Sequence, residues 1–232
     1  MIKIYGTPVS VHTRKVIVAA IAKGLKHEVI PVVPVIPGNP PPNWRELSPT
    51  GLIPALSDGD FTVSDSTAIS AYLDRVHPEQ PLYPKEARAL ARAMALEQYA
   101  GTVFSTVVRP LFHEVFVHPK LRNIPTDQSK IDAVLRNAIP ETFGYLDGET
   151  RSKAAGEFLA GDSMSMADIS VASNLVTFQY IGFDLDRARF PRLAALFDRV
   201  VRQPAFRETL HREETAVDAM GLRRDFLEPA LA

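Results

Sequence analysis

Strand signals occupy the first third of this chain and then stop. Ile2–Tyr5 reads as a short strand, and residues 14–23 read as a helix stopped by Gly24 at the C′ position. Residues 27–33 are β-branched and strand-like, with Pro31 arguing for a sheet edge. The passage PVIPGNPPPNW (34–44) can sustain neither helix nor ladder and predicts an extended loop. Residues 54–57 and 61–63 flank Asp58-Gly59, a hairpin signal, and Ser64 or Asp65 can cap a helix running to about His77. An order of β-α-β, loop, β-β-α predicts a mixed sheet with helices laid on it.

Beyond the proline-rich HPEQPLYP (77–84) every periodic segment is helical. Residues 87–117 form one long helical pattern, broken at His118-Pro119. Residues 127–149 follow, with Pro140 as a kink or break, and then Met166–Tyr180. Pro191 suits the first turn of a helix ending near Gln203-Pro204, where another short helix can begin. The tail from Gly221 onward has no clear pattern. The expected organisation is an α/β domain over residues 1–79, a linker over 80–87 and an all-helical domain over 88–232.

Composition narrows the function classes. A formal net charge of −1 in 232 residues supplies no field for nucleic acid or acidic lipid, so neither is an expected partner. No apolar run approaches the roughly 18 residues needed to span a bilayer, and no signal peptide is legible, so a cytoplasmic address without a membrane partner is expected. The absence of cysteine removes disulfides, thiolate metal sites and any cysteine nucleophile. Six scattered histidines do not predict a metal site; His113 and His118 are five apart, which does not stack two ligands on an α-helical face.

Three local patterns can carry chemistry. GTPVSVHTRKV (6–16) crowds Thr7, Ser10, His12 and Thr13 at a helix start. In SPTGLIPAL (48–56) a proline enters a strand although it cannot donate to the ladder. Either Pro54 is an ordinary trans turn proline, or a cis Ile53-Pro54 bond turns the Ile53 backbone outward to pair with an extended ligand. In SDSTAI (64–69), Asp65 and Ser66 either simply cap a helix, or join a carboxylate-attracting helix N-terminus to an ammonium-attracting side chain. An α-amino acid head bears both charges.

PVSVHTRKV, SPTGLIPAL and SDSTAI, in this order and spacing, resemble the thioredoxin-like domain of cytosolic glutathione transferases. FLAGDSMSMADI (158–169) is similar to the helical-domain signature of that family, where Ser165 and Asp168 form a capping box. FPRLAALFDRVVRQPAF (190–206) resembles its closing helices. The resemblance covers nearly the whole chain apart from the loop near 34–43 and the tail. It implies a thioredoxin-like domain followed by an all-helical one, a homodimer, and glutathione as co-substrate with no metal. It also implies a cis Ile53-Pro54 bond.

The first loop is most similar to the serine-type, phi- or theta-like forms. The resemblance therefore implies that Ser10 donates a hydrogen bond to the glutathione thiolate, with Thr13 as the nearer helix cap. Thr7, His12, Thr13 and Tyr5 remain alternatives. Ile53, Pro54, Asp65 and Ser66 are the implied glutathione-binding residues. Relatives usually carry a lysine or histidine before LSPTG for the glycine carboxylate; here Arg45 is the only base in that loop.

Arg109, Phe112 and Phe116 could line a pocket for an apolar electrophile, or form an ordinary core stripe. The implied reaction is attack of glutathione thiolate on that electrophile. A non-catalytic binder on the same scaffold and a glutathione-dependent peroxidase or isomerase are the alternatives.

Overall fold

A computed structural model describes residues 1–36, 38–152 and 155–227. By internal contacts the chain divides into two units: Met1–Tyr83 with Gln203–Ala216, and Pro84–Arg202 with Val217 onward. The expected helical domain, 88–232, thus includes a segment, 203–216, that groups with the first unit. The fold is a thioredoxin-like domain with a mixed sheet, plus a helical domain.

In the first unit, β1 (Ile2–Tyr5), β2 (His27–Ile30), β3 (Ala55–Asp58) and β4 (Phe61–Ser64) form one sheet in the order β2-β1-β3-β4. β1 runs parallel to β2 and antiparallel to β3, and β3 pairs antiparallel with β4, so Ile4 lies between Val29 and Leu56. Alternation along β1 sends Ile2 and Ile4 to the face covered by α1 (Val11–Ala22) and α3 (Ser66–Val76). There they pack with Val16, Ile17, Leu56, Ile69 and Leu73. The other face holds a smaller cluster of Val32, Trp44 and Ala55, joined by Tyr5 and Ile53.

β2 lies at the edge, where the missing N–H of Pro31 costs no ladder bond. Its regular pairing ends at Ile30 rather than Val33, although Gly6 N–H still bonds Ile30 O and Val32 N–H bonds Gly6 O on either side of Pro31. Helix α1 starts at Val11, three residues before the expected Arg14, and closes with a Schellman motif: Leu25 N–H bonds Ala20 O and Gly24 N–H bonds Ile21 O, with Gly24 at φ +67°. One turn of helix, α2 (Trp44–Leu47), begins at the last residue of the predicted loop. Lys23 then ties α1 to the end of α3, through Asp74 at 2.7 Å and the His77 carbonyl at 2.7 Å.

The second unit is helical. Its central helix, α8 (Met166–Tyr180), is buried at every residue. It begins with the expected capping box: the Ser165 amide and hydroxyl donate to Asp168 Oδ2 at 2.9 and 2.7 Å, and Leu159 N–H donates to Oδ1. α4 (Ala87–Val103) packs along it, with Asn174 donating to the Ala100 carbonyl.

The long pattern after residue 87 does not break at His118-Pro119. It continues through a π-helical segment (Phe104–Val108), α5 (Arg109–Phe112) and a second π-helical segment (His113–Arg122), stopping at Asn123 in the left-handed conformation, φ +53°. Hydrogen bonding to residue i−5 relieves the clash that a proline ring makes with the i−4 carbonyl of an α-helix. After α6 (Gln128–Ala133) a third π segment (Val134–Ala138) gives way to α7 (Ile139–Glu149), with Pro140 in its first turn.

α9 (Pro191–Val201) is followed by α10 (Pro204–Ala219), which is far longer than the short helix expected there. The tail turns at Asp225–Leu227 and packs Phe226 on Tyr180, while its last five residues, 228–232, lie outside the described residues. Among the described residues no helix is long and apolar enough to cross a membrane.

Candidate functional site

Two helix N-termini and one irregular segment of the first unit hold most of the predicted site residues. Ser10 is the N-cap of α1: its carbonyl accepts from Arg14 N–H at 2.8 Å, and its Oγ accepts a long bond from Thr13 N–H at 3.5 Å. That bond uses an oxygen lone pair and leaves the hydroxyl proton to donate elsewhere. Thr13 is therefore not the cap. It sits inside the first turn, fully buried, with its hydroxyl against Gly6, where an added Cβ would lie 2.4 Å from Thr13 Oγ1. The close approach of the β1–α1 loop to the helix requires that glycine.

The segment before β3 is shaped from within the first unit. Trp44 Nε1 donates to Gly51 O at 3.0 Å and Ser48 Oγ to Leu52 O at 2.7 Å. The Ile53-Pro54 peptide is cis, and among the described residues neither the amide nor the carbonyl of Ile53 takes a partner. Leu52 beside it is two-thirds exposed. Arg45, the lone base, donates to Pro49 O and lies over Gly51, where a Cβ would come within 2.8 Å of its guanidinium carbon. Asn39 accepts from Val33 N–H.

Asp65 caps α3, its Oδ1 accepting from Thr67 and Ala68 N–H at 2.8 and 3.1 Å. It does so at φ +80°, ψ 127°, a conformation that costs a non-glycine residue about 1–3 kcal/mol. The Ser66 amide has no partner among the described residues. Both readings of this motif thus involve the same atoms: the carboxylate that caps the helix is exposed, and beside it stands the unpartnered amide of the buried Ser66.

His12 and Lys15 lie beside these two helix starts; the sequence offers His12 only as an alternative donor and gives Lys15 no role. His12 Nδ1 lies 3.4 Å from Ser66 Oγ, joining the two helix starts. Burial, and next the Lys15 ammonium, lower its pKa to about 4 against the opposing pull of Asp65, so the ring is neutral at neutral pH. Lys15, itself buried, donates to Thr67 Oγ1 at 3.2 Å. Lys15 is the fifth residue of α1, past the first turn, and no local sequence signal marks it.

Below these groups Arg14 is fully buried. It bonds Glu213 of α10 through Nε at 2.7 Å and Nη2 at 2.9 Å, and Nη2 also donates to the Val9 carbonyl next to Ser10. Tyr5 lies on the other sheet face, in the Trp44 cluster, with its hydroxyl 3.5 Å from Ser57 Oγ.

Arg109, Phe112 and Phe116 sit in the second unit. The two phenylalanine rings stack at 5.1 Å, with Lys120 over Phe116, whereas Arg109 lines a separate cavity between α5 and α6 to which neither ring contributes. His113 and His118 approach edge-on at 5.8 Å, which the wider π-helical turn permits and α-helical spacing would not. Among the described residues no group of three His, Asp or Glu could hold a metal ion.

Comparison with known proteins agrees with this architecture at both ends of the chain. Two family models match: the glutathione S-transferase N-terminal domain over residues 4–81 and the C-terminal domain over 112–211. The chain is 27% identical over 209 residues to glutathione S-transferase Z2 of Arabidopsis thaliana, covering 90% of each protein. It is 28% identical over 169 residues to a maleylacetoacetate isomerase of Dictyostelium discoideum, covering 72% of this chain and 73% of that protein. A crystal structure of a glutathione S-transferase from Rhodospirillum rubrum superimposes with a TM-score of 0.80 at 27% identity, covering 90% and 92% of the two chains. The chain belongs to the glutathione S-transferase family.

Proposed function

We propose that this protein is a glutathione transferase of the serine type, in which the Ser10 hydroxyl donates a hydrogen bond to the glutathione thiolate. The observation that carries the reading is the junction of the α1 and α3 N-termini through His12 and Ser66, with the unpartnered backbone of Ile53 in the same unit. Helix amides and a hydroxyl donor favour an anionic sulfur, and the thiolate is the nucleophile. Ile53 binds the peptide backbone of glutathione as a short false strand beside Pro54. The open Ser66 amide takes the γ-glutamyl carboxylate and Asp65 the ammonium.

His12, neutral at neutral pH, offers Ser66 a hydrogen-bonding nitrogen and adds no charge to this site. Catalysis is thiolate stabilisation and proximity. The reading extends to a cytoplasmic homodimer, as the family resemblance implies.

An isomerase reading is favoured by the relative of that name. The thiolate would add to a double bond conjugated with a carbonyl, the resulting single bond would rotate, and expulsion of the thiolate would return glutathione unchanged.

Ultraviolet absorbance of bound thiolate, titrated against pH, tests the common step. Thiolate should form below the roughly 8.5 of a free thiol. In Ser10→Ala it should be diminished, with conjugation of a chloronitrobenzene slowed about ten- to hundredfold, the worth of one charge-assisted hydrogen bond. Saturable glutathione binding with neither thiolate absorbance nor turnover would overturn the enzymatic reading and leave a binder. Turnover of a cis-enone with glutathione conserved would select the isomerase.

A further inference from the structure

Between the two helix starts lies one hydrogen bond whose direction an anion would decide. His12 is the second residue of α1, two after Ser10, and its Nδ1 lies 3.4 Å from Ser66 Oγ at the first position of α3. Among the described residues the Ser66 hydroxyl makes no other hydrogen bond. Lys15, three residues further along α1, donates to Thr67 Oγ1 at 3.2 Å, so a second side chain of α1 ties the same turn of α3.

The His12 ring carries a single N–H at neutral pH. Burial, and next the Lys15 ammonium, bring its pKa to about 4 against the pull of Asp65. Two arrangements are then open. With Nδ1 bare, Ser66 gives its only hydroxyl proton to the ring and turns lone pairs outward. With Nδ1 protonated, the ring donates to Ser66 Oγ and leaves the hydroxyl proton to donate elsewhere. A carboxylate accepts and cannot donate, so only the second arrangement serves an anion at this helix start. Each bond in such a chain polarises the next, and a charged acceptor at its end should shorten the long His12–Ser66 contact. Histidine suits the position because it supplies a donor without a second cation beside Lys15.

We propose that His12 is a positioning residue for the γ-glutamyl carboxylate: its Nδ1–H donates to Ser66 Oγ, and the Ser66 hydroxyl donates to the carboxylate beside the Ser66 amide. The inference rests on the reading of Ser66 as part of the head-group site, and it is separate from the role of Ser10 at the sulfur.

Nitrogen-15 NMR of the whole protein, labelled at histidine, reads the tautomer directly, the His12 signals being those absent from His12→Asn. With saturating glutathione, Nδ1 should carry the proton and Nε2 should not. Calorimetry then compares glutathione with 4-aminobutyryl-cysteinylglycine, which keeps the ammonium and the thiol and lacks only that carboxylate. The wild type should prefer glutathione at least about tenfold, the worth of one charge-assisted bond. His12→Phe should weaken glutathione binding about three- to tenfold and leave the analogue unchanged. His12→Asn, with an amide N–H close to the place of Nδ1, should recover most of that loss. Added to Ser66→Ala, His12→Phe should cost nothing further, because it acts through that hydroxyl.

A bare Nδ1 in the complex, an equal loss for glutathione and the analogue, or a further loss on top of Ser66→Ala would overturn the proposal. A wild-type preference that survives His12→Phe intact would sink the role of His12 alone. No glutathione binding, or equal binding of both thiols by the wild type, would refute the head-group assignment itself and this proposal with it.

Discussion

The Arg14–Glu213 pair gives the sharpest stability test. Both side chains are fully buried and joined by two hydrogen bonds at 2.7 and 2.9 Å, and a third donor of the same guanidinium holds Val9 O at 3.2 Å. Glu213→Gln keeps the shape but leaves a buried guanidinium without its counter-charge. Breaking one side of such a pair costs about 3–5 kcal/mol. Replacing both residues by methionine removes both charges together, so the double variant should be clearly more stable than the sum of the two single changes, with a coupling of about 2 kcal/mol or more.

The single tryptophan of the chain, Trp44, is 5% exposed in the first unit, so its fluorescence reports the unfolding of that unit. With a urea slope of about 2 kcal/mol/M, a loss of 4 kcal/mol moves the midpoint down by roughly 2 M. Because Arg14 also restrains the carbonyl preceding Ser10, conjugation under native conditions should slow in Glu213→Gln. A midpoint shift under about 0.5 M, or strictly additive single changes, would refute the assignment of this pair as the clamp between α1 and α10.

Other expectations follow from particular contacts. Gly6→Ala drives a Cβ into Thr13 and should cost about 1–3 kcal/mol by the same fluorescence assay, much of it recovered in Gly6→Ala/Thr13→Ala. Asp65→Asn retains a capping oxygen but loses the charge. It should raise the glutathione dissociation constant about tenfold, more than Arg45→Gln does, with stability changed by less than about 1 kcal/mol. For His12 the folded pKa, about 4, lies below the unfolded value near 6.5, so the unfolded state binds the extra proton between them. Stability relative to His12→Asn should be full above pH 6.5, fall by about 2–3 kcal/mol down to pH 4, and stay level below; a flat difference would contradict a buried neutral ring.

Much of the fold is legible in residue order alone. Pro31, the Gly24 stop, the Asp58-Gly59 turn and the Ser165/Asp168 box act within a few residues, where dihedral preference and local hydrogen bonding decide the outcome. The boundaries that shifted depend on less local bonding. The start of α1 at Val11 follows from Ser10 taking the cap that Thr13 could also have taken. The passage of a helix through Pro119 follows from a π-helical register that no hydrophobic period announces.

The candidate site divides in the same way. Ser10, Ile53, Pro54, Asp65 and Ser66 stand at helix starts and a proline turn, whose exposed backbone groups are predictable from residue type, so the motifs mark them. Tertiary structure alone brings His12 within reach of Ser66, 54 positions away, and lowers its pKa. It alone buries Arg14 against Glu213, 199 positions away, and separates Arg109 from Phe112 and Phe116 although they share one helical stretch. Burial, desolvation and long-range pairing are properties of distance in space, and a linear pattern carries only distance along the chain.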